Sequence, residues 1–196
     1  MRQTDTALVT GGDLMAAFGL LTRLPVKVQM EQAVARGARA AWAWPLAGAA
    51  VALLAGCAGW LAAGFGAAIA AGVMLAVMVV LTGALHEDGL ADFADGIWGG
   101  QTPDRRLEIM KDSRIGSYGA LALVLSLGLR WQGLTILAEQ SGVAAAMALL
   151  ALGAASRAGV VLALAVMPAA RSFWRWLWRI LATSIRSRCS ASRCSM

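Results

Sequence analysis

The sequence predicts an all-α fold, a polytopic transmembrane helical bundle of about four spans with a cytoplasmic polar loop between the second and third. Three observations carry this. The 196-residue chain is 59% hydrophobic and only 14% charged, against roughly 25% charged residues in an average soluble domain. No charged residue falls between Ala40 and Leu85. A span needs about 20 apolar residues, so that run alone holds two helices. Lysine and arginine are also segregated. Five precede the first span (Arg2, Arg23, Lys27, Arg36, Arg39), four sit in the polar loop (Arg105, Arg106, Lys111, Arg114), and six follow Met167. The loops near Gly64 and Gln140 hold none. Fifteen of the seventeen basic residues therefore share one side, which the positive-inside rule makes cytoplasmic.

The elements follow in order. Asp13 to Leu24 has too few apolar residues to span and reads as a short amphipathic helix ended by Pro25. A basic stretch leads to a first span over about Trp42–Ala63 and, after a Gly-rich turn, a second over about Ala67–Leu85. Polar sequence occupies His86 to Ser117. The third span covers about Tyr118–Ala138 and the fourth about Val143–Met167. Small residues are abundant in all four and permit close backbone approach. Arg130 and Arg157 are the two basic residues inside spans, very roughly 15–18 Å from the cytoplasmic ends. Such an arginine marks a functional site facing the bundle interior, or else snorkels or pairs structurally. The net charge of +6 points to anionic lipid, and nucleic acid is not expected because no soluble basic domain carries it. Cys57, Cys189 and Cys194 show neither metal-ligand spacing nor a disulfide framework. The N-terminus lacks the ordered parts of a signal peptide.

Of eleven acidic residues, seven lie between Glu87 and Asp112. In "LTGALHEDGLADFADGIWGG" (81–100), a second helix continued past the membrane surface places Asp88, Asp92 and Asp95 within about a 60° sector at 100° per residue. Three carboxylates on one face repel unless a cation neutralises them. Mg²⁺ suits oxygen ligands and commonly bridges carboxylates to substrate phosphates. The alternative is a solvated acidic rim. The following "TPDRRLEIMKDSRIGSYG" starts a helix with Thr102 as cap and Pro103 in its first turn. Asp104, Arg105, Glu108, Lys111 and Asp112 share one face of it, opposite Leu107 and Met110. Arg105, Arg106, Lys111 and Arg114 set four cations beside the acids. Carboxylates for a metal and cations for phosphate oxygens are what phosphoryl transfer requires, since that chemistry depends on positioning and charge neutralisation.

"FGLLTRLPV", "LTGALHEDGLADFADGIWGG" and "RRLEIMKDSRIGSYGALAL" together resemble the adenosylcobinamide-GDP ribazoletransferases, or cobalamin synthases, over about Leu14 to Pro168. The resemblance implies a multi-pass, Mg²⁺-dependent enzyme of the bacterial inner membrane, with the polar loop as its catalytic segment. Its expected substrates are adenosylcobinamide-GDP and α-ribazole or its 5′-phosphate, and its products adenosylcobalamin or its phosphate and GMP. Metal on Asp88, Asp92 and Asp95 would then bridge the diphosphate, with Glu87 a candidate additional ligand. Arg105, Arg106, Lys111 or Arg114 would offset charge on the leaving group. His86 or Asp112 could take the hydroxyl proton, and an interfacial role for His86 stays open.

Residues 1–168 are thus read as a membrane-embedded ribazoletransferase-like domain, shortened relative to the family, which carries further apolar segments. Residues 169–196 form an Arg-, Ser-, Trp- and Cys-containing tail without acid. That tail reads as a segment out of frame from about Arg171, or as an interfacial helix anchored by Trp174, Trp176 and Trp178. Two other functions compete. A cation or proton transporter would place its acids near mid-membrane, where these spans have none. An alcohol-phosphatidyl type of membrane phosphotransferase would show a D-x2-D-G-x2-A-R start, which is missing.

Overall fold

A computed structural model of the chain describes residues 9–166, and the tail reading at 169–196 lies outside the described residues. Eight α-helices run α1 (Gly11–Leu21), α2 (Met30–Arg36), α3 (Trp44–Leu61), α4 (Ala67–Thr82), α5 (Leu85–Gly99), α6 (Pro103–Ile109), α7 (Ser117–Gln140) and α8 (Gly142–Val166), with 3₁₀ turns at Gly37–Ala43 and Ala63–Phe65. Stretches over Arg39–Leu61, Ser117–Gln140 and Gly142–Ala163 are each long and apolar enough to cross a membrane. A fourth candidate crossing is the bent pair of α4 and α5, which passes only when the two are taken together. The 16 residues of α4 give about 24 Å of helix at 1.5 Å per residue, short of a hydrocarbon core of roughly 30 Å.

The second span does not continue into the acidic segment as the sequence suggested. It stops at Thr82, and α5 leaves at 85° to α4. The break is Gly83–Ala84, two consecutive left-handed residues with φ 62° and 58°. Glycine suits the first, because a Cβ there would also collide with the Arg23 side chain. With four acids in 15 residues, α5 is far more polar than α4, and it runs back alongside α7, from Arg130 beside its first turn to Gly116 beside Asp95.

The bundle is inside-out compared with a soluble protein. Its buried seam is mostly alanine (Ala52, Ala55, Ala71 and Ala145, with Met74, Leu134 and Leu149). Large side chains such as Leu53, Trp60, Val80, Val124, Leu129 and Leu152 face outward, as lipid-facing helices require. α3 and α8 run antiparallel at close range. Gly48 meets Gly153 and Gly56 meets Ala146, and a Cβ on Gly48 would enter the Gly153 carbonyl. At the N-terminal side, buried Asp13 fastens α1 to the segments that follow. It accepts hydrogen bonds from Arg36 Nη2 at 2.8 Å and Trp42 Nε1 at 3.0 Å. The strand-like stretch after α1 then docks on the end of α4, where the Arg23 N–H donates to the Leu81 carbonyl at 2.7 Å.

Candidate functional site

α5 is one unbroken helix, so Asp88, Asp92 and Asp95 do lie along one stripe. Their surroundings differ. Asp88 is exposed, Asp92 half-buried and Asp95 buried. Asp95 reaches the start of α7, where its two oxygens accept from the backbone N–H of Gly116 at 2.7 Å and of Gly119 at 2.8 Å. It therefore caps a helix from a distance of 21 residues or more in sequence, satisfying first-turn donors and complementing the helix dipole. Glycine is required at both positions, since a Cβ on either would strike the Asp95 carboxylate.

Asp88 and Asp92 are the carboxylates left open for a ligand. Burial, and then the neighbouring Asp88 and Asp95 charges, push the Asp92 carboxyl above its ordinary value. Negative charge at this stripe is thus under-compensated, which suits a cation. Among the described residues, no three His, Cys, Asp or Glu side chains stand close enough to hold a metal ion unaided. Mg²⁺ commonly needs only one or two carboxylates and completes its shell with water and phosphate oxygens. The pair Asp88 and Asp92 fits that requirement.

The cavity beside Asp88, about 460 Å³, lies at the α4–α5 break and is lined by Gly19, Thr22, Arg23, Thr82, Gly83 and Asp88 among others. Arg23 is exposed, and among the described residues its side chain forms no ion pair. Sequence reasoning missed it as a site residue, although "LTRLP" carries it. A lone arginine 65 positions before Asp88 gives no spacing signal.

A second groove of about 410 Å³ lies toward the C-terminal end of α5, lined by Asp95, Arg105, Glu108, Asp112, Arg114 and Tyr118 among others. The expected cap of α6 is present, with the Arg105 N–H donating to Thr102 Oγ1 at 3.3 Å. The helix ends at Ile109, however, so Lys111 and Asp112 lie beyond it and do not share a helical face with Asp104, Arg105 and Glu108. Most of the four expected cations are engaged. Arg105 pairs with Glu108 at 2.6 Å and Arg114 with Asp112 at 2.7 Å, both at the surface. Arg106 Nε donates to the Gly100 carbonyl at 2.8 Å. Lys111 is exposed. The Arg114 side chain, hydrogen-bonded to Asp112, holds that carboxyl down to about 2, which makes it a weak proton acceptor.

Glu87 and His86 turn to a third side of α5. Glu87 Oε1 accepts from Arg130 Nη1 at 3.0 Å, and both residues line a cavity with His86, Ser156 and Arg157. The two intramembrane arginines therefore converge on the first turn of α5. His86 shares this cavity with the two arginines, and an imidazole nitrogen is a group able to accept a proton.

Comparisons with known proteins identify the family of the chain. The model of the cobalamin-5-phosphate synthase family matches residues 13–191. The chain is 45% identical over 174 residues to an adenosylcobinamide-GDP ribazoletransferase of Bradyrhizobium diazoefficiens, which covers 86% of this chain and 65% of that one. Proteins of the same name from Brucella anthropi and Brucella canis are each 42% identical over 167 residues, covering 82% of this chain and 63% of theirs. The chain thus spans slightly less than two thirds of the length of these relatives. No solved structure matches. With nearly all of its length matched by one family model, the chain belongs to the cobalamin-5-phosphate synthase family.

Proposed function

We propose that this chain joins adenosylcobinamide-GDP to α-ribazole or its 5′-phosphate, releasing GMP, at the cytoplasmic face of a bacterial inner membrane. The observation that carries the reading is the juxtaposition of Asp88 with Arg23 in one cavity of about 460 Å³, with Asp92 one turn along the same helix. Asp88 and a guanidinium with no ion pair among the described residues around one space, with Asp92 a turn away on α5, suit a diphosphate better than a transported cation, which Arg23 would repel.

Asp88 and Asp92 would hold Mg²⁺, which when bound neutralises diphosphate charge and polarises the phosphorus under attack. Arg23 would bind the non-bridging oxygens and fix the phosphorus in the cavity. The ribazole 5′-hydroxyl forms the new P–O bond to the phosphorus that carries cobinamide. The bond from that phosphorus to the GMP oxygen breaks, and GMP leaves. His86 is the better candidate to accept the hydroxyl proton, because Asp112 is already committed to Arg114. Arg105, Arg106, Lys111 and Arg114 would receive the guanosine-side phosphate, Arg105 and Arg114 by exchanging their surface carboxylate partners for it. Asp95 holds α5 against α7 and so keeps Asp88 and Asp92 in register with both grooves.

The test is GMP release from adenosylcobinamide-GDP and α-ribazole by membranes carrying the full chain, with and without Mg²⁺. Release that needs Mg²⁺ and Arg23 is expected. Release indifferent to both would set the reading aside.

A further inference from the structure

Two buried polar atoms among the described residues have no hydrogen-bond partner, and both belong to one cavity. They are Glu87 Oε2, an acceptor, and Arg157 Nε, a donor. Glu87 is 8% exposed and Arg157 6%. The cavity, about 270 Å³, is enclosed by α4, α5, α7 and α8 and lined by Thr82, His86, Glu87, Arg130, Ser156 and Arg157 among others. Other polar atoms of the cavity have partners. Glu87 Oε1 is held by Arg130, Arg157 Nη1 donates to Ser156 Oγ at 2.8 Å, and the Thr82 hydroxyl donates to the Met78 carbonyl at 2.9 Å. The Arg157 stem lies against Gly48 of α3, where a Cβ would displace it.

An unpaired buried donor and an unpaired buried acceptor each carry a substantial desolvation penalty. A phosphate or carboxylate would satisfy Arg157 and confront the Glu87 charge. A metal cation would satisfy Glu87 and confront Arg130 and Arg157. A neutral group with one N–H and one C=O side by side satisfies both atoms at once.

We propose that this cavity recognises an amide edge of the substrate, with the N–H donating to Glu87 Oε2 and the C=O accepting from Arg157 Nε. The volume is below the roughly 300–1,000 Å³ of pockets for whole drug-sized ligands, as suits one functional group of a larger molecule. Glu87 and Asp88 are adjacent in sequence and point about 100° apart on α5. An amide held here therefore lies within about one helix diameter, 10–12 Å, of the diphosphate cavity. The inference rests on the transferase reading, whose substrate offers two such edges: the peripheral carboxamides of cobinamide and the O6/N1–H lactam of guanine.

The experiment measures KM for adenosylcobinamide-GDP and two analogues, using the full chain in lipid vesicles. One analogue has peripheral carboxamides hydrolysed to acids. The other carries adenine in place of guanine, which exchanges donor and acceptor. Losing a hydrogen bond to a buried charged group is expected to raise KM about tenfold or more. A penalty confined to the acid analogue assigns the pocket to the corrin, and one confined to the adenine analogue assigns it to the nucleobase. Wild-type protein indifferent to both overturns the proposal, and this arm needs no variant to fold. In Glu87→Gln the repulsion of an introduced carboxylate is gone, so the acid penalty should shrink to about threefold or less, with KM for α-ribazole unchanged. A folded Glu87→Gln that keeps the wild-type penalty also overturns it. If wild-type protein releases no GMP at all, the transferase reading fails by itself. Tryptophan-fluorescence titration with cobinamide against its acid, and with GMP against AMP, then still reads the pocket, and equal affinity within both pairs overturns the proposal.

Discussion

Replacing Asp95 separates a structural from a chemical role for the acidic stripe. Asp95→Ala removes the only two acceptors that the structure gives the Gly116 and Gly119 N–H groups, at 2.7 and 2.8 Å. Hydrogen bonds to a charged group contribute about 1.5–3 kcal/mol each. The two share one desolvated carboxylate, and the Gly116 N–H can regain water, so the sum is discounted. A lost helix cap alone typically costs about 1 kcal/mol. The expected destabilisation is therefore about 2–4 kcal/mol, roughly half of it for Asp95→Asn, which keeps one acceptor oxygen. Chemical denaturation in detergent micelles, followed by tryptophan emission, gives the measurement. Trp98 of α5 sits 6.4 Å from Tyr118 of α7 between ring centroids, so it reports on the same helix contact. An unchanged midpoint in Asp95→Ala would refute the capping argument. Lost turnover with unchanged stability would place Asp95 among the reacting groups instead.

Three further outcomes are expected. Gly48→Ala drives a methyl into the Gly153 carbonyl at the α3–α8 crossing, and overpacking of this kind costs about 1–3 kcal/mol, read as a lower denaturation midpoint in micelles. Asp13, held to about 2 from its ordinary 3.8 mainly by its hydrogen bonds from Arg36, contributes fully above about pH 4. That contribution is lost as pH falls from about 4 through 2, so melting temperature should drop over this window in wild type and less steeply in Asp13→Asn. Arg23→Ala should raise KM for the diphosphate substrate by about tenfold or more while leaving KM for α-ribazole unchanged, since it deletes a charge-assisted contact to one substrate only.

The long helices were legible because their signal is length and charge exclusion. The expected spans Trp42–Ala63, Tyr118–Ala138 and Val143–Met167 fall close to α3, α7 and α8. The Thr102 cap of α6 was equally readable from residue type. What escaped was geometry set by distant partners. The break at Gly83–Ala84 had a glycine to announce it, yet Ala84 is left-handed because the chain must turn 85° there, and no local preference of alanine says so. The pairing of Glu87 with Arg130, 43 positions apart, and of Arg23 with the Asp88 cavity could not come from spacing. Conversely, the i,i+3 pair Arg105–Glu108 was present in the sequence as a helical spacing and marks a surface ion pair of little stabilising value. Charge density alone pointed to the acidic stripe, while the surrounding helices set Asp88, Asp95 and Glu87 in three different cavities.

The most direct test of the account compares Mg²⁺-dependent GMP release by wild type, Asp88→Ala and Asp92→Ala, each shown to retain the wild-type denaturation midpoint. The account predicts release by wild type in step with cobalamin formation, abolished by chelation and lost in both variants. Release that persists in either folded variant would contradict the placement of the diphosphate at the α5 stripe.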